Sequence, residues 1–114
     1  MSEAGKADPD YPAVLRPWIR GEALTTAQAA KRQGTSESTI RRTCEREHIG
    51  RKLGMRGHWM VSAVAFQMLV DDNREALAAY LAGDRTSDLV VSYYRREGLA
   101  IALADALSGD RRAA

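Results

Sequence analysis

One stretch constrains this chain more than any other: Ala29-Ala30-Lys31-Arg32-Gln33-Gly34-Thr35-Ser36-Glu37-Ser38-Thr39-Ile40-Arg41-Arg42. Ala30 stands four residues before Gly34, and Ile40 follows six after it. A small residue is needed where two helices cross closely. Glycine is needed where the chain turns through positive φ. A β-branched apolar residue is needed to plug a second helix onto the first. These demands describe two short helices around a tight turn, the second basic and exposed. They are also the demands of a helix-turn-helix, whose second helix lies in the major groove of DNA. An ordinary helical hairpin meets the same spacings, so the charge around the motif and the residues after it have to separate the two.

The chain has 114 residues and a net charge of only +2, but the charge is unevenly placed. Residues 31 to 58 hold eight Lys or Arg against three Glu, a net of +5, leaving −3 for the rest. A basic middle in a slightly acidic chain is the footprint of a phosphate-facing surface, with a solvated helix face as the plain alternative. The length suits one domain. The single cysteine, Cys44, excludes an internal disulfide and fits a reducing cytoplasm. No apolar run reaches the length of a membrane span, and no apolar leader opens the sequence. A cytoplasmic location, nucleoid-associated or phage-encoded, is therefore expected.

Read in order, residues 1–12 are polar and charged and are expected to form a disordered tail. A short helix is expected to begin at Pro17, with Leu15, Trp18 and Ile19 on one face. Thr25 is the expected N-cap of helix one, with Gln28 completing a capping box, and the helix runs to about Gln33. Ser36 caps helix two, which runs to about Glu47. On it Ile40 and Cys44 are spaced to point inward, leaving Glu37, Ser38, Arg41, Arg42 and Glu45 outward. Residues 49–61 carry three glycines and a basic middle, which fits a β-hairpin with Arg51, Lys52 and Arg56 near its tip. Val61, Val64, Ala65, Met68 and Leu69 then recur with helical spacing, and Asp71-Asp72-Asn73 ends that helix. Two or three further helices follow, one capped by Ser87 and closed by Gly98. Leu99, Leu103 and Leu107 make a narrow stripe that would seek either a second chain or the protein's own core. Residues from Ser108 onward read as frayed. The expected organisation is thus a tail over 1–12, a DNA-binding unit over 13–72, a helical segment over 73–108 for packing or oligomerisation, and a frayed end over 109–114.

With these residues in place, the region from 22 to 72 resembles the excisionase-like and MerR-like winged helix-turn-helix family of phages and mobile elements. The resemblance rests on Leu24-Thr25-Thr26-Ala27-Gln28-Ala29-Ala30, on Gly34-Thr35-Ser36, on Ser38-Thr39-Ile40-Arg41-Arg42, and on Arg56-Gly57-His58-Trp59-Met60-Val61-Ser62. It implies a mainly α fold, a winged helix-turn-helix with a short β-hairpin wing and additional C-terminal helices. It implies a recognition helix in the major groove and a basic wing on the adjacent minor groove or backbone.

The expected DNA-binding residues of helix two are Ser36, Ser38, Thr39, Arg41, Arg42 and Arg46. Ser38, Arg41 and Arg42 are the base-reading set, since Arg can fork onto guanine O6 and N7. Arg46, with Lys31 and Arg32 of helix one, is expected at phosphates. Arg51, Lys52 and Arg56 are the wing contacts that the resemblance implies. The expected function is sequence-specific binding of double-stranded DNA as an excisionase or transcriptional regulator. Two alternatives are a small terminase subunit that packages DNA as an oligomeric ring, and a protein-interaction domain that has lost DNA binding. A recombinase, polymerase or terminase partner and a homo-oligomer fit these readings, and a membrane does not. No enzyme activity and no cofactor are expected: the chain has no phosphate-binding glycine loop and no paired-carboxylate signature. Cys44, His48 and His58 lack a clear fourth ligand, so no metal is expected either.

Overall fold

The structure is a computed structural model, which describes residues 13–53 and 57–113, with side chains to residue 109. The proposed tail and Arg56 lie outside the described residues. Among the described residues the chain is mainly helical with one small antiparallel sheet, in the order β1 (Ala23–Thr25), α1 (Thr26–Gln33), α2 (Glu37–Glu47), β2 (Gly50–Leu53), β3 (His58–Ser62), α3 (Ala63–Val70), α4 (Arg74–Leu81), α5 (Asp88–Arg96) and α6 (Ala100–Ala113).

The motif folds as its residue types require. Thr25 Oγ1 accepts from Gln28 N at 3.0 Å, and Gln28 Oε1 accepts from Thr25 N at 2.9 Å, so the capping box starts α1. Gly34 closes the helix in the left-handed region at φ 66°. Ser36 Oγ then accepts from Thr39 N and starts α2. Ile40 and Cys44 are buried on the inner face of α2, opposite Ala29 and Ala30 of α1. His48 ends α2 in a left-handed turn, and the chain reverses into the hairpin.

Strand β3 is central, with β1 on one side and β2 on the other. The register pairs Gly50 with Val61 and Lys52 with Trp59. Alternation therefore puts Gly50, Lys52, Trp59 and Val61 on one face, and Arg51, Met60 and Ser62 on the other. Gly50 marks the face that packs on α2: a Cβ there would stand 2.9 Å from Cys44 Sγ.

Two expectations need correction. No helix begins at Pro17: Leu15 N donates to the Tyr80 hydroxyl, and the carbonyls of Ala13 and Arg16 accept from the Arg85 guanidinium. Tertiary partners have taken the backbone groups a helix would pair. The end expected to fray from Ser108 instead belongs to α6, which runs to Ala113. The segment after residue 72 shares its core with the rest of the chain. Val14, Leu15, Ile40, Val61, Met68, Tyr80, Tyr94 and Leu103 belong to one buried cluster. Leu99 and Leu103 are buried in it and Leu107 packs against it, so this stripe docks within the chain. No helix among the described residues is long and apolar enough to cross a membrane.

Candidate nucleic-acid interface

The outward face of α2 presents the side chains picked out in the sequence. Arg41 is half exposed, and its nearest carboxylate, Glu37, stands 3.9 Å away across an exposed helical pair. Such a pair contributes about 0.3–0.5 kcal/mol and yields easily to a better anion. Arg41 also donates to Ser38 Oγ at 3.4 Å, and Arg42 to Thr39 Oγ1 at 3.3 Å. Arg42 has no ion pair among the described residues. Ser36 serves structure first: its hydroxyl caps α2 and donates to Thr39 Oγ1 at 3.0 Å. Arg46 leans on Glu47 at 3.2 Å, which in turn holds Arg74 at 2.8 Å. These two arginines hold the Glu47 carboxyl below its ordinary range, Arg74 most of all.

The hairpin stands beside α2. Lys52 Nζ lies 5.4 Å from the Trp59 ring centre, on the face that meets α2. Between them the surface opens into a groove of about 360 Å³, lined among others by Thr26, Glu37, Arg41 and Trp59. Thr26 Oγ1 donates to Glu37 Oε1 at 2.8 Å and fixes the groove's acidic wall. Arg41 and Arg42 of α2 and Lys52 of β2 are thus exposed basic side chains on elements that touch one another.

Other expected contacts are placed elsewhere. Arg32 donates to both carboxyl oxygens of Glu97 at 3.2–3.3 Å, tying α1 to the end of α5. Its charge is committed within the fold, whereas Lys31 is exposed. Arg51 is not at the hairpin tip. It is the second residue of β2, half buried, on the face away from Lys52 and Trp59. Two further arginines are committed within the fold. Arg85 is buried and donates to the carbonyls of Ala13, Arg16, Tyr80 and Asp84, with its guanidinium 3.9 Å from the Tyr80 ring centre. Arg96 pairs with Asp71 at 2.8 Å over the Tyr93 ring, and with Tyr93 and Gln67 it holds the Asp71 carboxyl low.

Cys44 is buried behind Gly50, and burial with the nearby Glu45 pushes its thiol up to about 11. Sequence reasoning missed one polar centre altogether. Glu22 is fully buried and accepts hydrogens from Ser62 Oγ at 2.6 Å, from Tyr94 at 3.0 Å and from Tyr80. Burial, with the nearby Glu22, raises the pKa of both tyrosines well above the ordinary phenol range. The only sequence signal was an acidic residue just before a short apolar strand, which has no pattern of its own.

No protein-family model, no curated protein and no solved structure matches this chain.

Proposed function

We propose that this chain binds double-stranded DNA as a winged helix-turn-helix protein, with α2 in the major groove and the β2–β3 hairpin as the wing. The observation that carries the reading is the set of exposed basic side chains Arg41, Arg42 and Lys52: Arg42 and Lys52 make no ion pair among the described residues, and Arg41 has only the exposed contact to Glu37 at 3.9 Å. Ser38 stands beside Arg41 and supplies a small donor and acceptor for a base or a phosphate. The inner face of α2 is held by Ile40 and Cys44, so its outer face keeps a fixed aim. Work by such a protein is docking: it fixes where on the duplex a recombinase or polymerase can assemble, as an excisionase or a transcriptional regulator does.

The test is fluorescence anisotropy on labelled duplexes at low and moderate salt, with the double variant Arg41→Ala, Arg42→Ala alongside. Wild type is expected to bind and to weaken steeply with salt. Each arginine that forks onto a base contributes about 1–3 kcal/mol, so the double variant should lose tenfold or more. Absence of binding at low salt, or equal binding by the double variant, would remove this reading.

A further inference from the structure

A carboxylate stands at the start of the basic face of α2, where it repels phosphate. Glu37 is the first residue of the helix, directly after the Ser36 cap, and its side chain is half exposed. Two neighbours hold it. Thr26 of α1 donates to Oε1 at 2.8 Å, and Arg41, one turn on, lies 3.9 Å from the same oxygen. Among the described residues Oε2 has no hydrogen-bond or ion-pair partner. The carboxylate is therefore anchored from the α1 side with one acceptor oxygen to spare. Thr26, Glu37 and Arg41 all line the groove between α2 and the hairpin. A first-turn acid also suits the helix dipole, but the dipole requires neither the anchor nor the place beside Arg41.

The order of donors and acceptors in this pair matches one kind of base pair. On the major-groove edge of a G·C pair, guanine presents two acceptors, N7 and O6, and cytosine presents one donor, its N4 amino group. An arginine fork satisfies the acceptors, and a carboxylate oxygen accepts from the amino group. Arg41 and Glu37 carry those two functions side by side. Thymine offers a carboxylate no donor, and adenine sets its N7 lone pair beside its N6 donor. The first residues of a recognition helix are the ones that reach base edges. We propose that Glu37 is a specificity-determining residue, which accepts a hydrogen bond from the N4 amino group of a cytosine whose paired guanine receives Arg41. Thr26 is its positioning residue. This rests on the reading of α2 as the DNA-binding helix.

The experiment selects duplexes from a randomised pool with the full chain. Anisotropy is then measured on the selected duplex and on copies changed one base pair at a time. Wild type should fix a G·C pair whose replacement lowers affinity about tenfold or more. In Glu37→Ala that penalty should shrink severalfold at this pair and at no other, because only the arginine's half of the readout is left. Affinity for an unrelated duplex should not fall, since a charge that repels phosphate has gone. Arg41→Ala should weaken the penalty at the same pair, and Thr26→Val should weaken it less than Glu37→Ala does. Thermal melts of the variants are recorded alongside. An unchanged penalty at every pair in Glu37→Ala overturns the proposal and leaves the α2 reading standing. So does an equal loss of affinity on all duplexes, which would make Glu37 a support of the fold, or selected duplexes without a fixed G·C pair. An effect of Arg41→Ala at a different pair overturns the shared readout, and an unchanged penalty in Thr26→Val overturns the positioning role. No binding of any duplex by wild type removes both readings.

Discussion

At the residue scale, parity and the absence of a side chain decide more than residue type. Arg51 and Lys52 are adjacent and chemically alike, yet strand alternation sends them to opposite faces of the sheet. A basic cluster can be read from sequence; its division between two faces needs the register. Gly50 is a second case. The glycines of this region mark it as non-helical, but they do not show which one is pressed against a neighbour. A Cβ at residue 50 would stand 2.6 Å from the Met60 carbonyl oxygen and 2.9 Å from Cys44 Sγ. The carbonyl belongs to the central strand and cannot swing away without loss of the ladder. Gly50→Ala is expected to destabilise the fold by about 1–3 kcal/mol, as overpacking does. Urea denaturation followed by circular dichroism checks this, and an unchanged midpoint would show that the hairpin and α2 are not closely apposed.

At the element scale, the α1–turn–α2 unit was legible because each of its boundaries has a local cause. Thr25 and Gln28 form a reciprocal cap, Gly34 reverses the chain and Ser36 caps again. None of these depends on a distant partner. The opposite holds for β1, which spans three residues and owes its pairing to β3, and for residues 13–20, whose backbone groups bond to Tyr80, Leu81 and Arg85. Short segments like these carry no periodicity, so tertiary contacts alone set their conformation. The candidate site was legible to the same extent: its helix from spacing, its strand half only in part. Gly34 gives the test at this scale. A Cβ there meets nothing within 4 Å, so any cost of Gly34→Ala comes from its φ of 66° alone. That cost is about 1–2 kcal/mol. Gly34→Asn should cost less, since Asn tolerates the left-handed region. Thermal unfolding of the two variants checks the order; Ala and Asn equal to glycine would mean that the turn is made another way.

For the whole molecule, the question is whether α1, α2 and the sheet form one unit with the C-terminal helices. Glu22 answers it structurally. It precedes β1, bonds Ser62 at the end of β3, and reaches Tyr80 of α4 and Tyr94 of α5. One buried carboxyl group thus joins the sheet to the helices that follow it, and the apolar cluster is continuous around it. Such a hub raises the cost of separating the two parts, because each partner left behind would be a buried polar group without a bond. Tyr94→Phe deletes one of these bonds and little volume. It should cost about 1.5–3 kcal/mol if the bond has charge-assisted strength. The loss should appear as a single transition at lower temperature, the same by far-ultraviolet circular dichroism as by tryptophan fluorescence. Trp59 reports from the hairpin and Trp18 from the N-terminal segment, while the dichroism comes mostly from helices, so coincidence means that sheet and helices melt together. Two separated transitions in Tyr94→Phe would mean that Glu22 links two units able to fold apart, so that α1, α2 and the hairpin could hold their structure without α5 and α6.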